Sequence, residues 1–246
     1  MRPALEHVSR AHLAFVDSSA PEVWDETVYA PGTYDSFIWS LQQPLLREWA
    51  TQLSLRRPGF TYLDFACGTG RVLAVVAPFA GRSVGLDISA VMLARAAARV
   101  PQASFVEGDV LAQPDLAGDG YDLVTAFRFF LNAAPALRLP VLEALVAKLR
   151  DRDSRLVLNI HSNSFSVGGI GSRIRGEQHM SPLEVRRLVA GAGLEIEALY
   201  GFGVGPGCRT ALSPLRPVVR AFDRWTAHRQ ALRAVSRDLL LFCRKP

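Results

Sequence analysis

Between Phe60 and Arg71 the chain passes from an apolar run, Phe60 to Phe65, through a turn of small residues into a helical pattern that starts at Thr69. An apolar run of that length, bounded by glycines and followed by a helix, reads as a buried strand. Gly68 and Gly70 let the backbone come close to a ligand, because no Cβ stands in the way. The helix from Thr69 would turn its free N–H groups and positive dipole end toward the same place. Asp64, at the carboxyl end of the strand, adds a negative charge beside the turn. A nucleotide-like ligand with both an ammonium and a carboxylate suits this mixture.

The alternation then continues. A second apolar segment, Ser83 to Leu86, ends in Asp87, 17 residues after Gly70. Doubly wound nucleotide folds place an acidic residue near that distance to take the ribose hydroxyls. A third strand, Ala103 to Val106, leads into Glu107-Gly108-Asp109-Val110, and a fourth runs from Tyr121 to Ala126. The string LDFACGTGR resembles the first motif of class I S-adenosylmethionine-dependent methyltransferases, an acidic residue followed by G-x-G-x-G, with Ala66 in place of the first glycine. GLDISAVMLARA is similar to the second motif of that family, and EGDV to the third. The strand Tyr121 to Ala126, with Asp122 near its start, resembles the fourth motif, and the four matches cover residues 60 to 131. A dinucleotide dehydrogenase would use G-x-G-x-x-G, and Leu73 stands where its third glycine would fall.

The resemblance implies S-adenosylmethionine as cofactor. It implies contacts from Asp64, Ala66, Gly68, Gly70, Asp87, Ile88, Asp109, Val110 and Phe127, with Ile88 against the adenine and Asp109 accepting from its amino group. It also implies an α/β, Rossmann-like doubly wound fold, a seven-stranded, mostly parallel sheet with one antiparallel edge strand. Helix Ala136 to Leu149, strand Arg155 to Ile160 and helix Pro182 to Ala192, with Ser181 as its expected N-cap, follow in order. Glu195 to Phe202 and Asp238 to Cys243 are expected to form the closing antiparallel pair. Residues 1–55 read as an N-terminal arm and lid helix, and residues 56–246 as the cofactor-binding domain. The lid helix, Tyr34 to Leu53, is expected to kink or break at Pro44. In related enzymes such a segment covers the cofactor, which makes Tyr29, Tyr34 and Trp39 candidates for closing the pocket.

Residues 203–236 are too many for a hairpin between the last two strands, so they read as an insertion that shapes the substrate site. Arg216, Arg220, Arg224 and His228 share one helical face there, and Val218, Val219, Phe222 and Trp225 fall largely on another. The expectation is an apolar face packed on the domain, with a membrane surface or an acidic substrate as the sharper readings. The net charge of +5 resides here. From Gly201 onward nine basic and two acidic residues give +7, leaving −2 on the first 200 residues. Three scattered cysteines form neither a disulfide framework nor a zinc site. Cys67 reads as a small buried filler. No apolar run reaches the length of a membrane-spanning helix, the charged first 20 residues are expected to leave no signal-peptide core, and a reducing cytoplasm is the expected setting.

For the chemistry, the junction Phe127-Arg128-Phe129-Phe130-Leu131-Asn132 occupies the family's usual place between cofactor and acceptor. Tyr34, Arg128, Phe130, Asn132 and Arg209 are the candidate acceptor contacts. His161, just after the fifth strand, is the first candidate for a general base. His179 is the second, because a histidine at that place recurs in relatives of the ubiquinone-biosynthesis type. Asp151 and Asp153 lie at the amino end of the fifth strand, away from the acceptor, which argues against a metal. The N-P-P-aromatic signature of base and amide methylation is absent, so nucleic acid is an unfavoured partner. The expected acceptor is a hydroxyl of a small molecule, a glycan end or a natural product. The alternatives are an N- or C-methylated quinone, lipid or RNA acceptor, or a non-catalytic cofactor-binding subunit. The oligomeric state is left open.

Overall fold

The computed structural model describes residues 24–130, 132–160, 180–204 and 216–246. A π-helical turn, Trp24–Val28, precedes α1 (Tyr34–Arg56); then follow β1 (Thr61–Phe65), α2 (Leu73–Val76), β2 (Arg82–Asp87), α3 (Ala90–Arg99), β3 (Ser104–Glu107) and β4 (Leu123–Phe127). The second half comprises α4 (Pro135–Ala147), β5 (Arg155–Ile160), α5 (Pro182–Gly191), β6 (Glu195–Phe202), α6 (Arg216–Ala227) and β7 (Asp238–Arg244). The strands form one sheet in the order β3-β2-β1-β4-β5-β7-β6. All neighbours from β3 to β5 pair in parallel, and β7 pairs antiparallel with both β5 and β6. The expected closing pair is therefore present, with β7 as its inner member.

The strands are short apolar runs because both faces of the sheet are covered. One face packs Leu63, Val124 and Leu158 against α4 and α5 through Leu142, Leu145, Val185 and Val189. The other packs Tyr62, Val157 and Phe242 against α1 and α2, with Trp49 stacked on Phe242 at 4.1 Å between ring centroids. Pro44 does not break α1, which runs unbroken for 23 residues. A proline inside a helix costs about 3 kcal/mol. Phe37, Ile38, Leu41 and Leu46 are all buried by the helix, and each contributes roughly 1.5–3 kcal/mol, so packing wins.

The helix expected from Thr69 begins only at Leu73. Gly68 (φ +53°) and Gly70 (φ +77°) are left-handed, which a right-handed helix cannot accommodate. Residues 66–72 therefore form a wide turn, and α2 is a single short helical segment rather than a long dipole aimed at the ligand. Ser181 caps α5 with a reciprocal capping box to Glu184, as its sequence suggests. At the amino ends of the strands Arg57 binds Asp122 at 2.6 Å and Asp151 at 2.8 Å. Those carboxylates are thus committed to a cation of the protein, on the face opposite the glycine turn.

Candidate functional site

The carboxyl ends of β1, β2 and β4, with the segment after β3, surround one cleft enclosing about 1270 Å³ of space, its open mouth included. Its base is the turn after β1. Ala66 is itself left-handed, at φ +52°. A Cβ built on Gly68 meets no atom within 4 Å, and Gly68 lines the cleft, so a side chain there would occupy ligand space. Gly70 differs. Its Cβ would sit 3.0 Å from Ala96 Cβ and 3.1 Å from Ala96 Cα, and it does not line the cleft. The second glycine serves the contact between the turn and α3.

Asp87, at the tip of β2, accepts from the Gly68 N–H at 2.8 Å through one oxygen and from the Ser89 N–H at 3.0 Å through the other. Burial pushes its pKa up, and those two N–H groups pull it back. Ser89, not Asp87, provides the side-chain cap of α3, accepting from Met92 N. Asp87 therefore ties the glycine turn to the second strand tip while its carboxylate lines the cleft. Ile88, Asp109 and Val110 line the wall beyond it. Asp109 accepts from the Leu111 N–H at 2.9 Å. At the other end of the cleft stand Phe127, Arg128, Phe129 and Asn132, followed by Leu137 and Val141 of α4. Arg128 is left-handed (φ +61°) and forms an ion pair with Asp35 of α1. Asn132 donates to the Arg128 carbonyl at 2.6 Å.

In the lining, the acceptor atom Asp64 Oδ2 and the donor atom Arg71 Nε are both buried and have no hydrogen-bond partner among the described residues. Asp64 is 1% exposed. Its other oxygen accepts from Thr125 Oγ1 at 2.6 Å, and burial pushes its pKa up to about 7. Arg71 lies 3.8 Å from the ring centroid of Tyr29 and 4.1 Å from that of Trp39, and donates to Tyr29 Oη at 2.7 Å. Burial lowers its pKa. Buried polar atoms are nearly always satisfied. An acceptor and a donor waiting on one wall match the ammonium and carboxylate of an amino-acid end, so the residues present suit S-adenosylmethionine. Arg71 is the site residue that the sequence reading missed. The signal was there: a charged side chain directly after the last glycine of a turn that has to be buried.

The remaining expected residues divide. Phe130 is fully buried in the core and does not line the cleft. Phe129 takes the place expected of it, packed edge-on against Phe65 at 4.8 Å. Tyr34 does not line the cleft either. Its hydroxyl donates to Asp238 Oδ2 at 2.5 Å, at the start of β7. Cys67 is buried with a raised thiol pKa, consistent with a packing role. His161, His179 and Arg209 lie outside the described residues, as do residues 1–23 of the arm and 205–215 of the insertion. Among the described residues, no cluster of His, Cys, Asp and Glu could hold a metal ion, and no helix is long and apolar enough to cross a membrane.

The segment before α1 is fastened over the glycine turn. Asp25 accepts from Thr69 Oγ1 at 2.9 Å and from Arg99 Nη2 at 2.7 Å, and Arg99 Nη1 donates to the Thr69 carbonyl at 2.9 Å.

Comparison with known proteins agrees with this geometry. The sequence profile of a methyltransferase domain matches residues 63–152. An uncharacterized methyltransferase of Synechocystis sp. is 32% identical over 108 residues, which is 44% of this chain and 50% of that protein. The chain thus matches about half the length of that curated relative. Among solved structures, magnesium protoporphyrin IX methyltransferase of Synechocystis PCC 6803 with bound SAH superposes with a TM-score of 0.65 at 17% identity, covering 97% of this chain and all of that one. The N-methyltransferase NodS of Bradyrhizobium japonicum WM9, in complex with S-adenosyl-L-homocysteine, gives 0.55 at 17% identity, over 82% of this chain and 87% of that one. Residues 63–152, which carry the glycine turn and the two acidic strand tips, thus match a methyltransferase domain, and the fold around them is that of solved methyltransferases with bound cofactor product.

Proposed function

We propose that this protein transfers a methyl group from S-adenosylmethionine to a hydroxyl of a small molecule, glycan end or natural product. The observation that carries the reading is the polarity of the cleft. One wall presents Asp64 and Arg71 with unmet hydrogen-bonding capacity; the far end is apolar and aromatic, with Phe127, Phe129, Leu137 and Val141. The cofactor supplies a methyl group already activated by a positively charged sulfur. The chain's own residues hold and orient. Asp64 would take the ammonium, Arg71 the carboxylate and Asp87 the ribose, while Asp109 and Ile88 would hold the adenine. Residues 24–34 act as the lid in this reading, since Asp25 and Tyr29 fasten them to Thr69 and Arg71.

Orientation of the acceptor against the methyl can supply as much as ~7–11 kcal/mol, and a general base adds ~10²–10⁴-fold, or about 3–5 kcal/mol. Positioning therefore outweighs proton removal, and the aromatic end of the cleft is the larger contributor. His161 is the next residue in the chain after β5, whose carboxyl end pairs beside Phe127 of the cleft through Asn159, and we assign it the acceptor's proton, with His179 as the alternative. The named neighbours support transfer to a small molecule as the general class, and include an enzyme of nitrogen as well. Calorimetry with S-adenosylmethionine, followed by methyl transfer to a panel of phenolic, sugar and amine acceptors, tests the reading. Uptake of cofactor with turnover on hydroxyls only is the expected result; turnover confined to amines refutes the hydroxyl. His161→Ala should lower turnover at least tenfold with cofactor affinity unchanged, and unchanged turnover removes it from the mechanism.

A further inference from the structure

The expectation that the apolar side of α6 packs on the domain is overturned. Val218 is 65% exposed, Phe222 45% and Trp225 54%. The side turned inward carries Asp223, Thr226 and Ala227, all buried, with Val219 half-buried beside them. Asp223 accepts from the Val204 N–H at 3.3 Å, which fixes the helix's rotation by a buried polar contact. The spacing 218, 222, 225 then leaves an apolar stripe in solvent.

The charges beside the stripe have one sign. Arg220, Arg224, His228 and Arg229 are exposed, and the helix's single carboxylate is the buried Asp223. Arg229 lies 4.6 Å from the Trp225 ring centroid. Across the groove toward α1 the lining carboxylate is Glu48, beside Arg220 and Arg224. The helix also borders the lid, since Pro31 and Ser36 share a cleft with Pro217 and Arg224.

We propose that α6 docks this protein onto an anionic lipid surface, with Val218, Phe222 and Trp225 entering the headgroup boundary and Arg220, Arg224 and Arg229 meeting lipid phosphates. Aromatic and aliphatic anchors flanked by arginines are what an interfacial helix requires, and the absence of any exposed carboxylate on α6 fits no neutral partner better. The stripe is three side chains wide, which suits shallow insertion. The docking is independent of the methyl-transfer reading, because it is measured without cofactor or acceptor.

The test is co-sedimentation with vesicles of phosphatidylcholine alone and of phosphatidylcholine with 30% phosphatidylglycerol, with tryptophan emission followed in parallel. Each arginine near an anionic surface contributes about fivefold, so three predict roughly 100-fold tighter binding to the anionic vesicles at low salt. Binding should weaken at least tenfold in 0.5 M NaCl, and a blue shift should be present in the wild type and absent in Trp225→Phe. Phe222→Asp and Arg220→Glu/Arg224→Glu should each reduce binding at least tenfold. All these side chains are exposed, so unchanged thermal unfolding would confirm that the variants are folded. The proposal is overturned by equal binding to both vesicles, by binding that Phe222→Asp leaves intact, or by no binding together with a self-association that Phe222→Asp abolishes. The last outcome would assign the stripe to a second copy of the chain.

Discussion

Asp64→Asn separates the two things that Asp64 is asked to do. In the wild type the carboxyl is 1% exposed, and burial raises its pKa from 3.8 to about 7. The folded state therefore holds the proton more tightly than the unfolded chain. Below about pH 4 both states are protonated and nothing is lost. As pH rises to 7 the charged form accumulates a penalty, which is complete above that. Three units at 1.36 kcal/mol each set its upper bound at about 4 kcal/mol. Asparagine keeps an oxygen for Thr125 Oγ1 and carries no charge, so ligand-free Asp64→Asn should gain stability at pH 8, up to about 4 kcal/mol, and none at pH 4. At roughly 2–4 °C per kcal/mol for a chain of this size, differential scanning calorimetry would resolve even half of that. The same change removes a charged partner for the cofactor ammonium, worth ~1.5–3 kcal/mol, so titration calorimetry should show affinity for S-adenosylmethionine lower by roughly 10- to 150-fold. Near pH 7 the wild type should also release about half a proton on binding, seen as a dependence of heat on buffer ionisation, and the variant none. Equal melting temperatures at pH 8, or affinities within twofold, would show that the reasoning about this carboxylate is wrong.

Arg71→Met should weaken S-adenosylmethionine binding by roughly 10- to 150-fold, as loss of a charged hydrogen bond does, yet leave binding of the decarboxylated analogue unchanged; parallel calorimetry of the two ligands decides it. Gly70→Ala adds a Cβ 3.0 Å from Ala96 at a left-handed position and should lower stability by at least about 1–2 kcal/mol in urea unfolding. Gly68→Ala meets open space and should instead cost mainly cofactor affinity. Tyr34→Phe removes the donor to Asp238, whose pKa burial raises to about 6. Its effect on urea stability should reach ~1.5–3 kcal/mol at pH 8, where the carboxylate is charged, and shrink toward ~1 kcal/mol at pH 5.

Elements that depend on local pattern were readable in the sequence. The strands, the Ser181 cap and the acidic tips at Asp87 and Asp109 fall where periodicity and spacing place them, because each is decided within a few residues. What the sequence concealed depends on partners far along the chain. Phe129 and Phe130 are adjacent and chemically identical, and only the angle at which the chain leaves β4, through the left-handed Arg128, sends one to the cleft and the other to the core. The exposed side of α6 was misassigned for a related reason. Apolar residues outnumber polar ones on that side, but Asp223 finds the Val204 N–H inside and small Ala227 allows close approach. Arg71 was passed over because a charged residue after a glycine turn reads as solvent-facing until Tyr29 and Trp39 are placed on it.

The fastening of Asp25 to Thr69 and Arg99, and of Tyr34 to Asp238, has a consequence for the order of assembly. Residues 25–34 are synthesised before every partner they dock on, and the anchors of Asp25 are not complete until Arg99, at the end of α3, is in place. Their last anchor, Asp238, lies 204 residues beyond Tyr34. The Tyr34 end of the segment cannot be fastened until those residues have been made, and a protease acting on nascent chains would find it accessible until β7 has been laid down.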